Sequence, residues 1–241
     1  MYQILSYKKL NSTNKFALEN ISSLPDNSII SADIQDTGRG RFDRKWVSDK
    51  PNNCYISFVL KPDLKFQKNF PNITQYLSIV LCETLEAYGI EPNIKWPNDV
   101  LVNNKKIAGI LSEMSFSAKG YEGIVLGIGV NLNLSKSDLE DINIPATSLN
   151  LETSKNINKE LFINSLCDNF YADYDFFLKN GFSHFRAKYI HYCNFIGKEV
   201  TIKNPDPIML GIALNVCDCG KLEVLKADGE IEKIISGDVV V

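Results

Sequence analysis

The stretch Gly38-Arg39-Gly40-Arg41-Phe42-Asp43-Arg44-Lys45-Trp46 stands between two runs that read as β-strands. Upstream, Ser28-Ile29-Ile30-Ser31-Ala32 leads directly into it. Downstream, Cys54-Tyr55-Ile56-Ser57-Phe58-Val59-Leu60 is rich in β-branched and aromatic residues and bordered by Pro51 and Pro62, the composition of a buried strand. Only four arginines occur in 241 residues, against twenty-two lysines, and three of them (Arg39, Arg41, Arg44) fall in this loop. Arginine presents a planar, permanently charged fork that binds carboxylate or phosphate oxygens in pairs, whereas lysine supplies a mobile point charge. Gly38 and Gly40 are expected to take positive φ and bring backbone N–H groups close to an anion. The loop also ends in one of only two tryptophans, which favours a ligand-enclosing loop over a solvated surface turn.

Working outward, Ile4 to Tyr7 reads as a strand. Asn11-Ser12-Thr13-Asn14 then leads into a short helix that Ser12 or Thr13 can cap. Ile73, Tyr76, Leu77, Val80, Leu81, Leu85 and Tyr88 recur at helical spacing, with Gly89 as the stop signal. Val100 to Val102, the turn Asn103-Asn104 and Ile107 to Leu111 read as a hairpin, and a further strand runs from Gly123 to Leu132 after a turn at Lys119-Gly120. Residues 135–157 are polar and weakly periodic. A second long helical face, from Leu161 to Phe177, ends at Asn180-Gly181. From about Asn194 the pattern changes to short strands at Val200 to Ile202, Ile208 to Val216, Leu222 to Leu225 and Ile231 to Ile235. The expectation is an α+β domain over residues 1–190, a mixed sheet with helices packed on it, followed by a small β domain over 191–241.

A formal charge of −3 excludes a surface that neutralises phosphates everywhere, so any phosphate chemistry must be local. Residues 1–30 contain no long apolar stretch, and no run is long enough to span a bilayer, which leads us to expect a cytoplasmic protein with no membrane partner. Six scattered cysteines suit reduced thiols. The close pair Cys217-Asp218-Cys219 has no second Cys/His pair at ligand spacing, so these read as ordinary strand cysteines rather than a zinc site. There is no GxxxxGK[ST] loop, and Gly127-Ile128-Gly129 lacks the third glycine of a dinucleotide fingerprint.

The other tryptophan lies in Lys95-Trp96-Pro97-Asn98-Asp99, which runs on into Lys105-Lys106-Ile107-Ala108-Gly109-Ile110. Pro97 biases Trp96 away from the α region, so a strand should start at Asn98 and Asp99. On spacing alone a cross-strand ion pair is the plainer reading of Asp99 and Lys106. The alternative is that Asp99 accepts a proton or holds a metal beside phosphates, and that Lys106 neutralises charge developing in phosphoryl or acyl chemistry. The glycines of Gly127-Ile128-Gly129-Val130-Asn131 fit strand packing, and Asn131 an ordinary turn. His184 and His191 lie away from every motif and read as structural.

Taken in order, these motifs resemble the biotin–protein ligase family, whose signature is a GRGRxGRxW loop, then KWPND, KxxGIL and GxGxN at similar spacing. The likeness covers nearly the whole chain. It implies a class II synthetase-like catalytic domain followed by an SH3-like β-barrel. It also implies a two-step reaction: biotin and ATP give biotinyl-5′-adenylate and pyrophosphate, and the ε-amine of a lysine on an apo biotin carboxyl carrier protein domain then takes the biotinyl group, releasing AMP. Carried over by position, the biotin pocket falls on Ser12, Thr13, Asn14, Gln35, Arg39, Gly40, Arg41 and Lys106. The nucleotide side falls on Arg44, Trp46, Asn98 and Asn131. Lys106, Arg41 and Asp99 would act in the chemistry, and Asp99 would also meet Mg2+ carried on the phosphates.

The sequence departs from the pattern at Phe42-Asp43, where the family has a variable residue and then glycine; aspartate is among the better non-glycine residues at positive φ. Ser12 comes too early for the helix-turn-helix domain of the family's repressors, so no DNA partner is expected, and the chain would act as a monomer or homodimer. Lipoate or octanoate transfer to carrier domains, or a non-catalytic biotin sensor, are the alternatives. The GRGRFDRKW and KWPND motifs favour biotin, and Lys106 with three loop arginines favours turnover.

Overall fold

The computed structural model describes residues 2–42, 44–140, 142–203 and 208–240. In chain order the elements begin with β1 (Gln3–Leu10), α1 (Thr13–Asn20), β2 (Ser28–Gln35) and β3 (Cys54–Leu60). A 3₁₀ stretch (Leu64–Asn72), α2 (Ile73–Glu86), β4 (Pro92–Lys95), β5 (Asp99–Val102), β6 (Lys105–Ser117) and β7 (Gly120–Val130) follow. Next come α3 (Lys136–Glu140), α4 (Leu149–Thr153), α5 (Lys159–Asn180) and α6 (Arg186–His191). The strands β8 (Glu199–Lys203), β9 (Met209–Val216), β10 (Leu222–Leu225), β11 (Ile231–Ile234) and β12 (Asp238–Val240) close the chain. The chain divides into two compact units, one of residues 1–65 with 104–167 and one of residues 66–103 with 168–241.

The first unit is a mixed sheet in the order β1-β2-β3-β7-β6. β1 and β2 run parallel, Gln3 opposite Ser28, which requires a crossover, and α1 supplies it. The remaining neighbours are antiparallel. β3 is buried at all seven residues, as its continuous apolar run predicted for a central strand. α1 covers the sheet through Ala17 and Ile21, which meet Ile30, Val59 and Val125 in one apolar cluster. Ser12 caps this helix, its Oγ accepting from the Lys15 N–H at 3.4 Å.

In the second unit α2 carries Tyr76, whose hydroxyl donates to the Phe170 carbonyl at 2.6 Å and whose ring stacks on Phe177 at 4.7 Å. Gly89 follows α2 at φ +79°, the left-handed stop that the sequence suggested. β4 and β5 form an antiparallel hairpin with Lys95 opposite Asp99, and the Trp96–Pro97 bond in its turn is cis. The C-terminal strands make a five-stranded antiparallel sheet in the order β11-β10-β9-β8-β12.

Several elements differ from expectation. β1 extends to Leu10 because its backbone pairs with β2 through Gln35, although Lys8 and Lys9 break the apolar pattern. β4 forms in a stretch with no strand signature, since its partner β5 supplies the ladder. The polar stretch 135–157 contains α3 and α4, each of five residues and too short to show periodicity. Cys217-Asp218-Cys219 is not in a strand: it forms the turn between β9 and β10. Among the described residues no helix is long and apolar enough to cross a membrane.

Candidate active site

The site in the first unit is built on one face of β7, β6 and β3. Alternation along a strand puts residues two apart on the same face, so Val125, Gly127 and Gly129 share one. Their register partners are Glu113, Leu111 and Gly109 on β6, and Val59, Ser57 and Tyr55 on β3. At the Val125–Val59 end this face is covered by α1. Beyond it, glycines leave a shelf on which polar side chains lie directly against the backbone. A Cβ at Gly127 would run into the Asn14 amide, and one at Gly129 would sit 2.5 Å from the Trp46 indole nitrogen. Opposite Gly129, a Cβ at Gly109 would come within 3.1 Å of the Trp46 ring and 3.2 Å of the Lys106 side chain.

The N-terminus of α1 ends on this shelf. Thr13 donates from its N–H (2.8 Å) and its hydroxyl (3.2 Å) to Gln35 Oε1. Ser57 Oγ lies 2.6 Å from Asn14 Oδ1 and 2.8 Å from Thr13 Oγ1. Asn14 Nδ2 donates to the Leu111 carbonyl at 3.2 Å and to Glu113 Oε2 at 3.0 Å. The other carboxylate oxygen of Glu113 accepts from Arg39 Nη2 at 2.9 Å. Thr13, Asn14, Gln35 and Arg39 are thus joined into one network through Ser57 and Glu113, while the neighbouring Ser12 is taken up in capping α1. Ser12, Thr13, Asn14 and Gln35 are buried.

The arginine loop is a small hairpin. Trp46 N–H donates to Gly38 O at 2.9 Å, Gly40 N–H to Arg44 O at 2.7 Å, and Arg44 N–H to Arg41 O at 3.2 Å. Gly38 and Gly40 do not take positive φ, contrary to expectation, and the Gly40 N–H is spent inside the loop rather than offered to an anion. Gly38 is required for a different reason: a Cβ there would meet Ser48 Oγ and lie 2.5 Å from the Trp46 carbonyl. Among the described residues of the loop Phe42 is left-handed, at φ 54°, while Asp43, on which that role was expected to fall, lies outside the described residues. The half-exposed Phe42 ring stands 4.7 Å from the Arg41 guanidinium and 5.7 Å from that of Arg44, two cation–π contacts that offset the repulsion of like charges.

Lys106 Nζ lies over the Trp46 ring at 5.4 Å. Its backbone is stapled to the segment after α3: Lys106 N–H donates to Pro145 O and Thr147 N–H to Lys106 O, both at 2.9 Å. Asn131, buried at the end of β7, completes this attachment, its Nδ2 donating to Thr147 O at 2.9 Å and its carbonyl accepting from Leu149 N–H. Asn98 and Asp99 belong to the second unit, Asn98 in the turn after the cis bond and Asp99 as the first residue of β5. There Trp96 is buried and donates from Nε1 to Gly220 O at 3.0 Å. Ser48, Ser57, Glu113 and the 145–147 strap were not singled out in the sequence. Only the position of Glu113 on the strand that carries Lys106 and Gly109 could have drawn attention to it. Among the described residues no group of three or more His, Cys, Asp or Glu is placed to hold a metal.

A glycine shelf carries a buried amide network at one end and a lysine–tryptophan pair at the other, beside an arginine hairpin, an arrangement able to meet neutral polar groups and an anion together. The chain matches the Biotin/lipoate A/B protein ligase family over residues 6–131 and the Biotin protein ligase C terminal domain over residues 195–241. It belongs to the biotin protein ligase family. A bifunctional ligase/repressor BirA of Bacillus spizizenii is 33% identical over 99% of this chain and 74% of its own length. A biotin--[acetyl-CoA-carboxylase] ligase of Paracoccus denitrificans is 30% identical over 89% of this chain and 90% of its own. The biotin protein ligase from Aquifex aeolicus in complex with biotin and ATP superposes with a TM-score of 0.85 at 26% identity, covering 100% of this chain and 98% of that one.

Proposed function

We propose that this protein attaches biotin, at the expense of ATP, to a lysine of a biotin carboxyl carrier protein domain through biotinyl-5′-adenylate. The observation that supports this reading best is the pairing of Lys106 with Trp46 over Gly129, two residues along one strand from the Asn14 network over Gly127. In this reading one strand would register the two halves of a ligand that carries an acyl chain and a nucleotide.

In this reading each group takes the following role. Thr13, Asn14 and Gln35, being buried and cross-bonded, and Ser12, buried and held at the start of α1, offer fixed polar atoms to the uncharged ring of biotin. Arg39, Gly40 and Arg41 border the path of its carboxylate. Lys106 neutralises charge as that carboxylate attacks the α-phosphorus and pyrophosphate leaves, the kind of fixed electrostatic group that lowers such barriers. Trp46 offers its face to adenine, and Arg44 its charge to phosphate oxygens. Asn131 acts on the nucleotide side through its hold on the strap beside Lys106. Asn98 and Asp99 keep their ATP roles on the strength of the KWPND motif. Mg2+, which binds through phosphates and one or two carboxylates rather than a protein cage, would enter with ATP, Asp99 being the carboxylate offered. Residues 1–190 would carry this chemistry, and residues 191–241 would assist ATP or acceptor binding.

The test is incubation with biotin, MgATP and an apo carrier domain. The carrier should gain one biotinyl group by intact mass, and the protein alone should exchange pyrophosphate into ATP only when biotin is added. No biotin-dependent exchange would refute the reading, and a lipoyl or octanoyl mass increment from the corresponding acids would replace it.

A further inference from the structure

The motif Cys217-Asp218-Cys219 has no place in the reaction above, yet its setting is specific. Four of the six cysteines are buried, whereas Cys217 is half-buried and Cys219 exposed. Their sulfurs are in direct contact, Sγ to Sγ at 2.6 Å. The reason is the turn: residues two apart in a tight turn approach more closely than in a strand, into the separation of roughly 4.4–6.8 Å between Cα atoms that a disulfide tolerates. The turn is itself held in place. Cys217 N–H donates to Lys221 O at 2.9 Å and Gly220 N–H to Cys217 O at 2.8 Å, with Gly220 left-handed at φ +78°. From outside the turn, Asn72 Nδ2 donates to Cys219 O at 3.1 Å, while Gln75 Nε2 (2.8 Å) and Trp96 Nε1 (3.0 Å) both donate to Gly220 O.

From this geometry we infer that Cys217 and Cys219 are a dithiol modification site that exchanges with small-molecule disulfides and closes reversibly into an intramolecular disulfide. Cys219 is the attacking group. It is the exposed sulfur, and its thiolate is favoured by the Cys217 S–H, the Lys221 backbone N–H and the Lys221 charge, which together hold it below the ordinary thiol value. Burial, and donation of its proton to Cys219, push Cys217 the other way. The Cys219 thiolate attacks one sulfur of the small disulfide, forming a mixed disulfide and expelling one thiolate. Cys217, losing its proton to solvent, then attacks Cys219 Sγ and expels the second. The two cysteines give up two electrons and two protons between them, and the small disulfide becomes two thiols.

Reduced protein is incubated with oxidised glutathione, quenched in acid, alkylated with N-ethylmaleimide after denaturation and weighed intact, with the site assigned by peptide mapping. Wild type should lose two hydrogens and retain four alkylated cysteines of six, the missing pair mapping to residues 217 and 219. Cys217→Ser and Cys219→Ser should instead stop as single glutathione adducts, the adduct on Cys219 forming faster. The inference is overturned if wild type accumulates glutathione adducts without the species two hydrogens lighter. It is equally overturned if wild type stays fully reduced at glutathione ratios that modify either single variant.

Discussion

The Trp46 indole packs against Gly129, so close that a methyl group there would stand 2.5 Å from Nε1. Gly129→Ala should therefore displace Trp46 without disturbing the ladder on either side. Such overpacking typically costs about 1–3 kcal/mol. We expect the KM for ATP in biotin-dependent pyrophosphate exchange to rise roughly ten-fold, about 1.4 kcal/mol, with unchanged far-ultraviolet circular dichroism. A folded variant with wild-type KM for ATP would show that Trp46 does not serve the nucleotide.

Glu113 ties the α1 network to the arginine hairpin, one carboxylate oxygen to each. The pair with Arg39 is partly exposed, with the Arg39 side chain 41% accessible, so its worth to stability is under about 1 kcal/mol. Glu113→Ala is expected to leave the melting temperature nearly unchanged and to raise the KM for biotin about ten-fold, roughly 1.4 kcal/mol. Glu113→Gln, still able to accept from Asn14, should lie between. A large loss of stability without a change in KM would make Glu113 a folding residue only.

Lys106→Ala removes the cation over Trp46. Removing one fixed charge-stabilising donor costs about 3 kcal/mol of barrier, on the order of a hundred-fold in kcat. Single-turnover formation of the adenylate should slow by that factor while the folded content holds. An unchanged rate would eliminate Lys106 from the chemistry.

Burial pushes the Cys54 thiol up to about 12, against an ordinary value of 9.0, despite the opposing charge of Lys159. Cys82 and Cys193 are raised for the same reason. The folded chain then keeps protons that the unfolded chain releases, so this stability is full below the ordinary value and is lost as pH climbs from there towards the folded value. Each unit of pH in that window costs about 1.4 kcal/mol per thiol. Urea midpoints should fall steeply in the alkaline range, and Cys54→Ala should flatten the fall by one thiol's share. An equal slope in both proteins would contradict the burial argument.

The sequence was most legible where one kind of signal dominated. β3 spans the residues that its apolar run marked, and α2 ends by the glycine that its periodicity required. What escaped was decided by partners distant in the chain. β4 exists because β5 is beside it. Glu113 matters because the register of β6 and β7, together with the start of α1, sets its carboxylate between Asn14 and Arg39. The glycines of Gly127-Ile128-Gly129 fitted strand packing in the sequence, and so they do pack, but what they pack against is the pair Asn14 and Trp46. Gly38 and Gly40 misled in the other direction, since glycine signals either free dihedrals or close approach and sequence alone does not say which.

The strap from Pro145 to Leu149 holds Lys106 through its backbone and Asn131 through its carbonyl and its side-chain amide. The amides that make these bonds are those of Lys106, Thr147 and Leu149, so in hydrogen–deuterium exchange the three should lose protection as one kinetic group, whereas the Asn131 amide, which donates to Ile107 O, should follow the β6–β7 ladder. Natural variation in loop length should then be absorbed on the far side of the strap, in residues 135–144. An insertion at 145–149 would change the position of a lysine forty residues earlier in the chain.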